Sequence, residues 1–231
     1  MLNILFSPKW FYGKDILIDI VSIIVLGLIS YVTFRYYHIN KHKKQHLWFS
    51  IASLLLSLSF LFKILTNFTL YQQVLRTQQL GLFTFTYQTV QYSDTLFLVG
   101  TLLYRLLTLL GLYVLFSIYY NDQPKPMYLL TVFFIFVSTY FTSANYYIFH
   151  ITALLLLMFV VKKFHDNSIK TKDKLAKLIC GSFAVIMLSQ LVFVFVHLAG
   201  ILYVIAEIIQ LIGYGLLLAS FILVRHYGKK K

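Results

Sequence analysis

The sequence predicts an all-α integral membrane protein, a seven-transmembrane helix bundle with its N-terminus outside and its C-terminus cytoplasmic. Three observations carry this. Apolar residues make up 60% of the 231 positions and Asp, Glu, Lys and Arg only 12%, against roughly 25% charged residues in a soluble globular domain. The apolar residues collect into stretches near the about 20 residues that cross a hydrocarbon core of about 30 Å. The basic residues fall between those stretches with a strong bias to one side, as the positive-inside rule requires.

Span 1 covers 15–37. It follows an apolar segment, Met1 to Tyr12, that lacks the basic region and small-residue cleavage site of a signal peptide, so span 1 is expected to act as the targeting signal. Span 2 covers 47–69. Between Leu70 and Asp94 lies the longest outer loop, and within it Leu82 to Tyr92 reads LFTFTYQTVQY. Its alternation of β-branched and aromatic with polar residues predicts a short β-hairpin over the outer face, with an unstructured loop on the headgroups as the alternative. Span 3 covers 95–119. Spans 4 and 5, at 127–142 and 145–162, are separated only by the weak break from Phe141 to Asn145. A single helix over both would be about 54 Å long, too long for the core, so a tight turn between two helices is expected. Spans 6 and 7 cover 176–198 and 201–224. Pro8, Pro124 and Pro126 lie outside every span and no GxxxG pair occurs, which predicts unbroken helices without a close dimer face.

Orientation follows from counting. Arg35, Lys41, Lys43 and Lys44 follow span 1, Lys125 follows span 3, six lysines from Lys162 to Lys177 surround the link from span 5 to span 6, and Arg225, Lys229, Lys230 and Lys231 follow span 7. The opposite side holds only Lys9, Lys14 and Arg76. An even number of spans mixes these two sets, so the count of seven and the orientation support each other. This distribution also separates the net charge of +13 from nucleic-acid binding. The basic loops are topology signals at the cell membrane, with anionic lipid headgroups as their partners. No hydrophilic stretch exceeds about 25 residues, below the about 50 of a soluble domain, so one membrane domain over 1–231 without a catalytic or output module is expected. Cys180 is the single cysteine, and no internal disulfide is possible.

Ionisable residues inside spans cost about 2.5–3.5 kcal/mol each on insertion scales and are functional candidates for that reason. Asp19, Lys63, Arg105 and Glu207 qualify, all in the outer half of the bilayer, with His150 and His197 in the same outer half on spans 5 and 6. Each charge sits on a polar stripe at helical spacing. The stripes are Asp15, Asp19 and Ser22 on span 1, Ser59, Lys63 and Thr66 on span 2, Thr101, Arg105 and Thr108 on span 3, and Tyr203, Glu207, Gln210 and Tyr214 on span 7. They predict an outward-facing polar pocket lined by spans 1, 2, 3, 5, 6 and 7, with span 4 against lipid. The competing structural reading makes the four charges two buried ion pairs, with Asp19 and Lys63 close enough to the interface to snorkel.

His38, His42 and His46 repeat every four residues, but Lys41, Lys43 and Lys44 between them favour a solvated basic loop over a metal site. The unequal depths of His150 and His197 argue against haem ligation. The sequon Asn67-Phe68-Thr69 sits at a span boundary, and no HExxH, GxSxG or Gly-rich phosphate loop occurs. In layout the chain resembles the microbial rhodopsins: seven helices, N-terminus outside, an arginine in span 3. That family carries retinal on a lysine in span 7, and 201–224 contains none, so retinal by that linkage is excluded and the similarity is one of architecture. The seven-helix zinc hydrolases related to ceramidases need an HxxxH pair in the last span, which has no histidine.

The functional expectation is a ligand-binding or sensory bundle rather than an enzyme, without cofactor. Its pocket centres on Arg105 and Glu207 and includes Asp19, Lys63, His150, His197, Tyr203 and Gln210. A signal is expected to reach a separate partner through the Lys-rich loop. The alternatives are a small ion- or proton-coupled transporter, and a membrane scaffold without ligand.

Overall fold

The computed structural model describes residues 8–11, 13–39, 44–79, 86–119, 125–142, 145–171 and 174–228. A 3-10 turn, Lys9–Phe11, leads through Gly13, whose φ of 82° is the left-handed conformation glycine adopts without strain. Seven α-helices follow among the described residues: α1 (Lys14–Ile39), α2 (Lys44–Gln79), α3 (Thr86–Tyr119), α4 (Lys125–Phe141), α5 (Tyr146–Thr171), α6 (Lys174–Val194) and α7 (Ile201–Gly228). Six are long and apolar enough to cross a membrane, and α4, with its apolar stretch Met127–Phe141, is shorter. Its 17 residues reach about 25 Å at 1.5 Å per residue.

Consecutive helices pack side by side, α7 returns to α1 and closes the ring, and α5 reaches past α4 to pack directly on α3. This leaves α4 on the outside of the bundle, covering α3 and α5 with one face and exposing Leu129, Phe133, Phe134, Phe136 and Tyr140 on the other. The inside-out pattern is that of a protein dissolved in lipid. Asp15, Asp19, Ser22 and Glu207 are at most 1% exposed while Leu17 on the same helix as Asp19 is 64% exposed, because only a polar partner, and not lipid, satisfies a carboxylate. The centre is filled by Leu26, Ile29, Leu56, Leu109, Leu157 and Phe183.

Small residues let the helices approach. Ser30 and Ser50 exchange hydrogen bonds across α1 and α2, each hydroxyl donating to the other's carbonyl at 3.0 and 2.9 Å, and Ser57 Oγ donates to Ile23 O at 3.2 Å. At the seam of α6 and α7, a Cβ on Gly213 falls 2.6 Å from Ile186 Cγ1 and 3.1 Å from its backbone nitrogen, so only glycine permits this separation.

Three sequence expectations change. The β-hairpin is replaced by helix, since α3 begins at Thr86 and residues 82–85 lie outside the described residues. The stretch LFTFTYQTVQY contains no Gly, Asn, Asp or Pro to form a tight turn, and without one the alternation does not pair. On the other side of that loop, α2 continues to Gln79 through Gln- and Leu-containing sequence with no breaker. Finally, α6 ends at Val194, four residues before the expected end of span 6, and a series of turns carries the chain to Ile201.

Candidate functional site

The polar stripes of α1, α2 and α7 meet at one end of the bundle. Lys63 Nζ donates to Asp19 Oδ1 at 2.7 Å and to Glu207 Oε1 at 2.6 Å, so the two carboxylates stand less than two hydrogen-bond lengths apart. Asp19 and Glu207 are fully buried and Lys63 is 9% exposed. The lysine does not snorkel to the interface: its ammonium points inward to the carboxylates, because those two anions outcompete the headgroup region as its partners. The ring of Phe60, one turn away on α2, lies 5.5 Å from the ammonium.

Helical spacing extends the cluster along α1 and α2. Asp15, one turn from Asp19, accepts from Asn67 Nδ2 at 3.1 Å and from its neighbour's backbone, Ile16 N, at 3.0 Å. Asn67 stands one turn from Lys63, so the same four-residue step carries both contacts. This also places the amide of the sequon against Asp15. Tyr104 on α3, Tyr146 on α5 and Tyr203 on α7 border the charged groups. The N-terminal turn covers them: Phe11 is buried, with its ring edge-on to Tyr203 at 6.4 Å, and Trp10 and Lys14 stack outside it.

The charges do not form two ion pairs. One lysine serves two carboxylates, and Arg105 is directed elsewhere, with Nη1 donating to Thr142 O at 3.0 Å. That carbonyl ends α4, where a cation complements both the unsatisfied carbonyl and the negative end of the helix dipole. Thr142 Oγ1 in turn donates to Ser138 O. Arg105 sits on α3, which packs on α2, α4 and α5, and its guanidinium is turned to the end of α4 rather than to Glu207.

His150 and Gln190 join α5 to α6 at 2.8 Å. The imidazole is buried among Tyr146, Phe149 and Phe193, stacked on the last at 4.8 Å, and Phe193 meets Tyr203 edge-on at 5.9 Å. His197 lies beyond the end of α6, exposed, with Nδ1 3.3 Å from Val194 O, and takes no part in the cluster. Gln210 is buried and donates to Tyr214 OH at 3.4 Å, one turn below Glu207. An apolar void with room for about one water molecule lies deeper, among Leu26, Leu56, Leu112, Phe183 and Leu217. Among the described residues no three His, Cys, Asp or Glu side chains converge as metal ligands. His42 lies outside the described residues.

Two features distinguish the triad from a matched ion pair. With both carboxylates ionised it carries one negative charge in excess of its lysine. Among the described residues, the buried Asp19 Oδ2, Glu207 Oε2 and Thr101 Oγ1 on α3 have no hydrogen-bond partner. Sequence reasoning singled out Asp19, Lys63 and Glu207 but passed over Asn67, Phe11, Tyr104 and Tyr146. The step from Lys63 to Asn67 was the available signal for the first, and for Phe11, ahead of the first span, the sequence carries none. No protein-family model, curated protein sequence or solved structure matches this chain.

Proposed function

We propose that this chain is a seven-span bundle of the cell membrane, N-terminus outside and C-terminus cytoplasmic, that binds a small ligand or ion from the outer side at Asp19, Lys63 and Glu207. Its bound state is read by a separate partner through the lysine-rich end of α5 and α6, where Lys162, Lys170, Lys174 and Lys177 are exposed, an arrangement that also suits anionic headgroups. The seventh span is α4, whose length is accommodated by local thinning of the bilayer.

The observation that carries the reading is the uneven stoichiometry of the triad. Helices held together by an ion pair need one carboxylate per ammonium, and a second buried carboxylate adds desolvation cost without a cation of its own. A site that takes up a positive group removes that imbalance. A second reading, an ion- or proton-coupled transporter, draws on the same surplus charge and differs in requiring the occupant to leave on the other side.

Thermal stabilisation of purified protein by a panel of ions and metabolites tests the first reading, with Glu207→Gln and Asp19→Asn as comparisons. A compound that raises the melting temperature of the wild type and of neither variant supports a binding centre, and uptake of that compound into liposomes selects the transporter. If nothing stabilises the wild type and both variants unfold more readily, the triad is a fastening and the scaffold reading replaces this one.

A further inference from the structure

The binding centre has a composition that narrows what it takes. Between the two carboxylates the place of a bound cation is already filled by Lys63 Nζ, 2.7 and 2.6 Å from their oxygens. A metal ion brought to the remaining oxygens meets the ammonium's repulsion and finds two carboxylate oxygens without partners where a hard monovalent or divalent cation needs about six ligands. An organic cation needs volume, and the void described above, apolar and lined by other residues, does not supply it. A proton needs neither. Resting on the proposal that Asp19, Lys63 and Glu207 form the binding centre, we infer that its occupant is a single exchangeable proton, carried on Asp19 Oδ2 or Glu207 Oε2 while Lys63 stays charged.

The chemistry balances simply. A proton arriving from water on the outer side forms an O–H bond with one of the two unpartnered oxygens, and the triad passes from one net negative charge to neutral. On release the O–H bond breaks and the charge returns. Asp15, one turn nearer the end of α1 and held by Asn67, is the next acceptor toward the outside. The other ionisable groups that border the carboxylates are the phenols of Tyr104 on α3, Tyr146 on α5, and Tyr203 and Tyr214 on α7. Arg105 is turned to Thr142 and His150 to Gln190. Among the described residues, therefore, Lys63 is the single cation in contact with either carboxylate.

Infrared difference spectroscopy of the full chain in lipid nanodiscs, stepped between about pH 5 and pH 9, reads this directly. The wild type is expected to show one protonated-carboxyl C=O band per chain that disappears on the alkaline side, with one proton released per chain to a pH indicator. Carbon-13 labelling of the side-chain carboxyls of Asp or Glu moves the band and identifies its carrier without any substitution. Asp19→Asn and Glu207→Gln are each expected to abolish both signals. A wild type with no protonated-carboxyl band, a band that persists unchanged across the range, or a band that both variants retain overturns the inference. If a compound stabilises the wild type but no proton exchanges, the proton assignment fails and the binding centre stands. If neither is seen, both fail.

Discussion

Removing the positive charge at the centre of the triad is the most informative single perturbation. Lys63→Met keeps the length of the side chain and its packing on Phe60 but deletes the ammonium that donates to Asp19 at 2.7 Å and to Glu207 at 2.6 Å. Each hydrogen bond involving a charged group contributes about 1.5–3 kcal/mol. Removing one partner of a buried ion pair costs about 3–5 kcal/mol, chiefly because the other is left uncompensated. In a chain of this length each kcal/mol moves the melting temperature by about 2–4 °C, which gives a fall of about 6–20 °C. Glu207→Gln behaves differently. The amide oxygen accepts from Lys63 in place of Oε1, the amide nitrogen offers Asp19 Oδ2 the donor it lacks, and the centre becomes neutral. Its expected effect is within about 1 kcal/mol of the wild type, or about 4 °C. Thermal unfolding in nanodiscs, followed by near-ultraviolet circular dichroism, compares the two. A Lys63→Met variant that melts with the wild type refutes the ion-pair assignment, and a Glu207→Gln variant as damaged as Lys63→Met refutes the argument from surplus charge.

Three further outcomes follow from other parts of the bundle. Arg105→Leu deletes the bond to Thr142 O and is expected to cost about 1.5–3 kcal/mol with faster hydrogen exchange at the end of α4; unchanged melting and exchange exclude the helix-capping role. Gly213→Ala drives a methyl to 2.6 Å from Ile186 Cγ1 and is expected to cost about 1–3 kcal/mol by overpacking, whereas Gly215→Ala, with nothing within 4 Å, is expected to be neutral or slightly stabilising; equal effects contradict the close approach of α6 and α7. In a Cys180→Ser background, a membrane-impermeant maleimide is expected to label Leu198→Cys in intact cells and Lys170→Cys only after permeabilisation, and the reverse pattern inverts the topology.

Six of the helices, and the faces they turn inward, are legible from hydropathy and from the spacing of polar residues. Asp15, Asp19 and Ser22 are buried while Leu17 and Ile20 are exposed, as a stripe of three polar residues on an apolar helix requires. The outer position of α4 is legible too, since its span alone carries no Asp, Glu, Lys, Arg or His. What spacing leaves open is which stripe faces which. Arg105 and Glu207 both turn inward in the outer half, yet they go to different partners: α3 packs on α2, α4 and α5, while α7 packs on α1 and α6. That depends on the order of helices around the ring, which no single helix encodes. The expected hairpin fails for another reason: alternation pairs only where a tight turn brings two strands together, and LFTFTYQTVQY contains no turn former.

The case for function rests finally on redundancy. The seam between α1 and α2 is already closed by Ser30, Ser50 and Ser57, that between α6 and α7 by the fit of Gly213 against Ile186, and that between α5 and α6 by His150 and Gln190. The rings of Phe60 and Tyr214, 5.6 Å apart, and of Phe49 and Phe221, 5.5 Å apart, bring α2 against α7. Each of these joins helices with neutral groups, which lipid-embedded bundles accommodate at small cost. The triad joins the same helices with three charges, one of them uncompensated, in the place where charge is most expensive. Fastening alone therefore does not account for it. A triple variant, Asp19→Asn, Lys63→Met and Glu207→Gln, leaves none of the three buried charges uncompensated; it is expected to keep the fold through the neutral contacts while losing proton exchange altogether, and a triple variant that fails to assemble returns the triad to a structural role.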